Sequence, residues 1–192
     1  MLKRLSLTAM ALTASAAPAL AHLDPVEHGS LLAGISHPFT GLDHMLAMMA
    51  VGLWAALLGG RATRFVPTAF VGTMVFGFAA ALSGIRLPFV EPVIGASVVI
   101  VGLFAMAALK VRTDVGMALV GFFALFHGYA HGGELGEAGA LWFGAGFVLA
   151  TALLHAAGIG FGWLTGGRRG HSLARAAGAL TALGGLWIVA GY

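Results

Sequence analysis

Six apolar stretches follow one another along the chain, at approximately 38–60, 65–84, 90–109, 115–132, 138–164 and 175–191, parted only by short clusters of Gly, Pro or charge. A helix needs about 20 mostly apolar residues to cross the hydrocarbon of a bilayer, and each stretch is near that length, the fourth and sixth being short. Within lipid a spanning backbone must satisfy its own hydrogen bonds, so the series predicts an all-α, polytopic membrane protein of about six transmembrane helices. Charge agrees, because 9% of the residues are Asp, Glu, Lys or Arg where soluble domains carry about 25%. The connections are too short to fold separately, so residues 22–192 are expected to form a single transmembrane domain.

Ahead of the first stretch, Lys3 and Arg4 precede the short apolar segment from Leu5 to Ala17 and the small-residue pattern Ala19-Leu20-Ala21. This is the form of a cleavable signal peptide, residues 1–21, leaving a mature chain that begins at His22 on the outer side, the periplasm of a bacterial cell. Threading the spans from there puts Arg61, Arg64, Lys110, Arg112, Arg168, Arg169 and Arg175 on the inner side and only Arg86 on the outer. That asymmetry satisfies the positive-inside rule and places the protein in the inner membrane. The formal charge of +3 therefore reports topology, and no basic patch for nucleic acid is present.

Glycine is abundant, at 30 residues, and the small-xxx-small pairs Gly128/Gly132, Gly132/Gly136 and Gly158/Gly162 predict close helix packing. Phe70, Phe76 and Phe78 read as packing residues of their span. With no cysteine, thiolate zinc sites, iron–sulfur clusters and Cys nucleophiles are excluded. No G-x-x-x-x-G-K-[ST] run binds a nucleotide, so any transport would draw on an ion gradient, the membrane potential or a partner.

Chemistry concentrates at two places. The first span opens with His37-Pro38-Phe39-Thr40-Gly41-Leu42-Asp43-His44-Met45, where Pro38 suits a first helical turn. Read as one helix from that turn, it places His37, Gly41, His44 and Met48 on one face, with Asp43 beside it. The fourth span ends with Phe126-His127-Gly128-Tyr129-Ala130-His131-Gly132-Gly133-Glu134, in which His127, His131 and Glu134 share a face. Both segments lie in the outer half of the membrane, and Glu91 opens the third span at the same level. An acid within a span is unfavourable by about 2.5–3.5 kcal/mol on insertion scales, so Asp43 is expected to face the bundle interior with a partner. His37, Asp43, His44, Glu91, His127, His131 and Glu134 are thus candidate ligands for a borderline divalent ion. His155, deep in the fifth span, reads either as an interhelical hydrogen-bond link or as part of an inner exit. Met45, Met48 and Met49 read as lipid-facing or core residues more than as ligands, with metal contact the lesser alternative for Met48, and His171 reads as an inner loop residue. The segment His22, Asp24, Glu27 and His28 reads either as a metal-collecting tail or as a solvated one.

The two motifs resemble the paired signatures of the HupE/UreJ family of bacterial nickel and cobalt permeases, and signal peptide, size and layout are similar over essentially the whole chain. The resemblance implies import of Ni2+ or Co2+ for maturation of hydrogenase or urease, with the ion as cargo and no permanent cofactor. By that resemblance His37, Asp43 and His44 match the first motif and His127, His131 and Glu134 the second. An intramembrane zinc hydrolase, with His and Asp holding zinc and a Glu as base, is the competing expectation from the same ligand types.

Overall fold

The structure, a computed structural model, describes residues 29–134, 139–165 and 168–191. Signal peptide and tail (residues 1–28) therefore lie outside the described residues, as does Gly136 of the small-residue pairs. All described elements are helices: α1 (Gly29–Ser36), a 3-10 turn (His37–Phe39), α2 (Leu42–Leu58), α3 (Ala62–Leu82), α4 (Val90–Ala107), α5 (Thr113–Gly133), α6 (Ala140–Leu164) and α7 (Arg168–Val189). Five helices are long and apolar enough to span a membrane, and the bent pair formed by α1 with its turn and α2 makes up to six. The chain is thus a multi-pass membrane protein. The fourth and sixth spans, short by hydropathy alone, reach 21 and 22 residues because their polar ends stay helical.

The first span departs from its expected form. It does not run as one helix from Pro38, since α1 and its 3-10 turn meet α2 at 84°. Pro38 removes a backbone donor, and the chain then extends at Gly41 (φ −98, ψ 114) before α2 starts. Thr40 closes the turn, its amide and hydroxyl both donating to the His37 carbonyl at 3.0 and 2.7 Å. Gly41 is required for space: a Cβ there would lie 2.9 Å from Asp43 Oδ1 and 3.1 Å from His44 Nδ1. Asp43 consequently sits in the first turn of α2, at the mouth of the bundle, where the helix dipole favours an anion.

Helices pair through glycine. A Cβ on Gly52 of α2 would overlap the His155 carbonyl of α6, and one on Gly158 the Met49 carbonyl. Gly77 and Gly128 bring α3 and α5 together in the same way, Gly102 and Gly178 join α4 to α7, and Gly34 and Gly146 seat α1 on α6. With lipid on the outside, no hydrophobic force draws helices together, and such backbone contact is what holds them. The expected pairs Gly128/Gly132 and Gly158/Gly162 all serve here, Gly132 facing Phe78 and Ala81, and Gly162 facing Ala56.

Side chains fill the middle, with Trp54, Phe70, Phe147, Met48 and Met74 fully buried. Phe76, Leu141, Trp142, Leu153 and Trp163 project outward, as lipid-facing residues do. At the expected inner face two basic residues, Lys110 and Arg175, cap helix ends. Lys110 Nζ donates to the Leu57 carbonyl and, at 3.4 Å, to the Leu58 carbonyl, and Arg175 Nε donates to the Met106 carbonyl at 2.7 Å. Cations are favourable at helix C-termini, which adds a local reason for the asymmetry of charge.

Candidate metal-binding site

The bend before α2 folds the 3-10 turn back over the end of α5. His37 Nε2 lies 2.9 Å from Glu134 Oε2, and His131 Nδ1 lies 3.6 Å from the same oxygen. One ligand atom from each of His37, His131 and Glu134 falls within 4.8 Å of the others. Ligands held at about 2.1 Å from one ion are separated by about 3.4 Å in a tetrahedron and at most about 4.2 Å, so small side-chain movements close this triad on a cation. Glu134 caps α5 just after Gly133, so the helix persists through the glycines as expected.

Below the triad the imidazoles continue inward. The ring of His37 is 4.8 Å from that of His131, His131 is 4.2 Å from His44, and His44 is 4.8 Å from His127. The row runs from a partly exposed His37 to a fully buried His127. His44 Nδ1 lies 3.0 Å from Asp43 Oδ1, and the same oxygen accepts the His44 amide at 2.8 Å. An ionised carboxylate only accepts, so His44 donates from Nδ1 and its buried Nε2 is left as an acceptor without a partner. This carboxylate-to-imidazole arrangement is the one that commonly orients histidine ligands on a metal.

His127 is fixed by a residue that the motifs do not contain. Ser97 Oγ, on α4, donates to the Ile94 carbonyl at 2.6 Å and lies 2.8 Å from His127 Nε2. Its one proton goes to the carbonyl, so His127 donates to Ser97 from Nε2 and keeps Nδ1 as a free, buried lone pair. The only available signal was that Ser97 is the sole hydroxyl residue of its span. Both nitrogens of His131 also lack hydrogen bonds. Unpaired buried polar atoms are unfavourable by about 1–3 kcal/mol each, and several together point to a ligand that completes them.

A cleft of about 270 Å³ opens onto these residues, lined by His37, Thr40, Gly41, Asp43, His44, Glu91, His131 and Glu134. Six of the seven candidate residues thus border one opening, and His127 lies beneath it. Glu91 is exposed at the rim, in the first turn of α4, and a second cleft of about 310 Å³ also carries Asp43 and Glu91. The loop leading to Glu91 is held by the second motif, since the Leu87 amide donates to Tyr129 Oη at 3.2 Å. It ends in a left-handed Phe89 (φ 60), an unfavourable conformation for an aromatic residue.

Four residues are placed apart from this cluster. Met48 is buried one turn below His44, Met49 is exposed, and Met45 packs against the core. His155 is buried on α6 with neither ring nitrogen paired, and the Phe70 ring lies 5.7 Å from the His127 ring and 5.0 Å from that of His155.

The sequence profile of the HupE / UreJ protein family matches residues 10–188. Protein HupE of Rhizobium leguminosarum bv. viciae is 45% identical over 182 residues, which cover 94% of this chain and 95% of that one. No solved structure matches the chain. With a family match along nearly its whole length and a relative of almost the same extent, this multi-pass chain belongs to the HupE/UreJ family of nickel/cobalt transporters.

Proposed function

We propose that this protein is a permease that imports Ni2+, with Co2+ as the alternative cargo, across the bacterial inner membrane to supply hydrogenase or urease maturation. The observation that carries the reading is the row of four imidazoles descending from an acid-rimmed cleft, with acceptor nitrogens unpaired along it. In this reading the signal peptide is removed, the mature chain starts at His22 in the periplasm, and the cleft faces that compartment. Glu91 and Asp43 attract the hydrated ion to the rim. His37, His131 and Glu134 take it from water, the carboxylate offsetting lost hydration and the imidazoles suiting a borderline ion. His44, oriented by Asp43, and His127, oriented by Ser97, then offer the next donors inward.

Movement needs no nucleotide. A doubly charged ion crossing to a negative interior gains about 4.6 kcal/mol per 100 mV, enough for roughly three decades of accumulation. Thiolates are absent and several donors are neutral, so the ion is held without being trapped. Family membership favours transport over the intramembrane hydrolase that the same ligands could form. The test is uptake of nickel and of cobalt in cells lacking other importers, with nickel flux into liposomes holding the purified protein as its cell-free counterpart. Passage of nickel supports the reading; stoichiometric retention of zinc with cleavage of an ester or amide, and no flux, refutes it.

A further inference from the structure

Beneath the row of imidazoles, three helices bring a second set of donors together. Thr151 Oγ1 on α6 lies 3.4 Å from Met48 Sδ on α2 and 3.6 Å from Met74 Sδ on α3, and all three residues are fully buried. One turn further in on α6 is His155, whose Nδ1 and Nε2 are both buried and unpaired. Its backbone is pinned by Gly52, one turn below Met48, and its ring is met by Phe70, one turn below Met74. Each helix thus contributes one residue to an upper layer and one to the layer beneath. A cleft of about 310 Å³, lined by Pro67, Thr68, Val71, Ala152, His155 and Ile159 among others, reaches His155 between α3 and α6. Those residues belong to the first half of α3 and the second half of α6, which is the inner half of the bundle.

We propose that His155, with the Thr151 hydroxyl and the Met48 and Met74 thioethers above it, forms a second cation station from which the transported ion leaves the bundle. The inference rests on the permease reading and its orientation. If His155 only linked helices, a ring nitrogen would meet a carbonyl or hydroxyl, and neither does. The chemistry of the station differs from that of the mouth in the direction release requires. It contains imidazole, hydroxyl and thioether donors and no carboxylate, so it accommodates a soft or borderline divalent ion without neutralising its charge. An ion held there lacks an anionic partner and moves on readily. Phe70 stands between His127 and His155, presenting a ring to both, where its π face offers a passing cation a weak attraction.

The experiment uses the full-length protein in liposomes, reading equilibrium nickel binding and the concentration dependence of nickel flux separately. His155→Phe fills the volume and removes the donor. It is expected to lower maximal flux about ten-fold or more, in the range seen when groups around metal ligands are removed, while binding and half-saturation change less than about two-fold. His155→Met, which keeps a donor, should recover part of the flux. Met48→Leu with Met74→Leu conserves core volume and should lower maximal flux several-fold, and it decides the question alone if His155→Phe fails to insert. Flux within two-fold of the unsubstituted protein in these variants overturns the station. So does a loss of binding that parallels the loss of flux, since that marks a structural role. Should the unsubstituted protein bind nickel but pass none, the permease reading itself fails and takes this inference with it.

Discussion

The outer and inner halves of the bundle are built on opposite principles. The outer half breaks its first span, gathers His37, His44, His127 and His131, and borders them with Asp43, Glu91 and Glu134. The inner half holds the buried His155 without a buried carboxylate among the described residues, and Lys110 and Arg175 cap helix ends there. On the proposed import path, charge is concentrated where an ion would lose water and withheld where it would be let go. A span with acid throughout would trap a divalent ion, whereas one without acid would never admit it.

The strongest way to break this contrast is to remove charge from the mouth while keeping its shape. Asp43→Asn should lower nickel accumulation about 10–100-fold, with the protein still inserted, because the group orienting His44 loses its charge. Retention of most of the uptake would show that the carboxylate at the mouth is dispensable. Acidification attacks the imidazoles instead: a metal ligand must be neutral, so protons compete and nickel binding is expected to weaken toward pH 5. Initial uptake at pH 7 and pH 5 under a clamped potential measures this, and a flat profile counts against a His-lined entry.

A finer probe lies just under the mouth. Ser97→Ala deletes the hydroxyl bonded to His127, a bond worth about 1 kcal/mol, and should reduce flux by a few-fold while Ser97→Thr stays close to the unsubstituted protein. The smallest effect is expected at the inner face. Lys110→Gln removes a helix cap worth less than about 1 kcal/mol, so thermal stability in detergent should drop slightly and nickel flux remain as it was. A large loss of flux there would place part of the ion path at the inner surface.

Much of this was legible in the amino-acid order. Apolar length located α3 to α6 to within a few residues, although α7 begins seven residues ahead of its apolar stretch and α1 lies wholly ahead of the first one, and spacing on α5 brought His127, His131 and Glu134 to one side because a regular helix allows little else. The bend was not legible, although its residues were: Pro38 suits a helix start as well as a break, and the outcome turns on Gly41 making room for Asp43 and His44. Reading one helix from Pro38 placed Asp43 about 7 Å inside the span, whereas it stands at the first turn of α2. The partners of Ser97, Thr151 and the thioethers were not legible for another reason. A hydroxyl in an apolar helix can satisfy itself on its own backbone, and nothing in sequence says which helix it faces. Nor could the chain order reveal that His155 has no partner, a property of three neighbouring helices together.

The glycine contacts also decide which parts can slide. Where backbone meets backbone, as between α2 and α6 and between α3 and α5, no side chain can swing aside to widen the joint, so each pair behaves as a single beam. Give is left to the seam between the beams, where α3 faces α6 across an apolar hollow of about 480 Å³ edged by Met74, Phe78 and Phe147. Any rearrangement of the bundle would therefore find its room at that seam before it found any at the glycine joints.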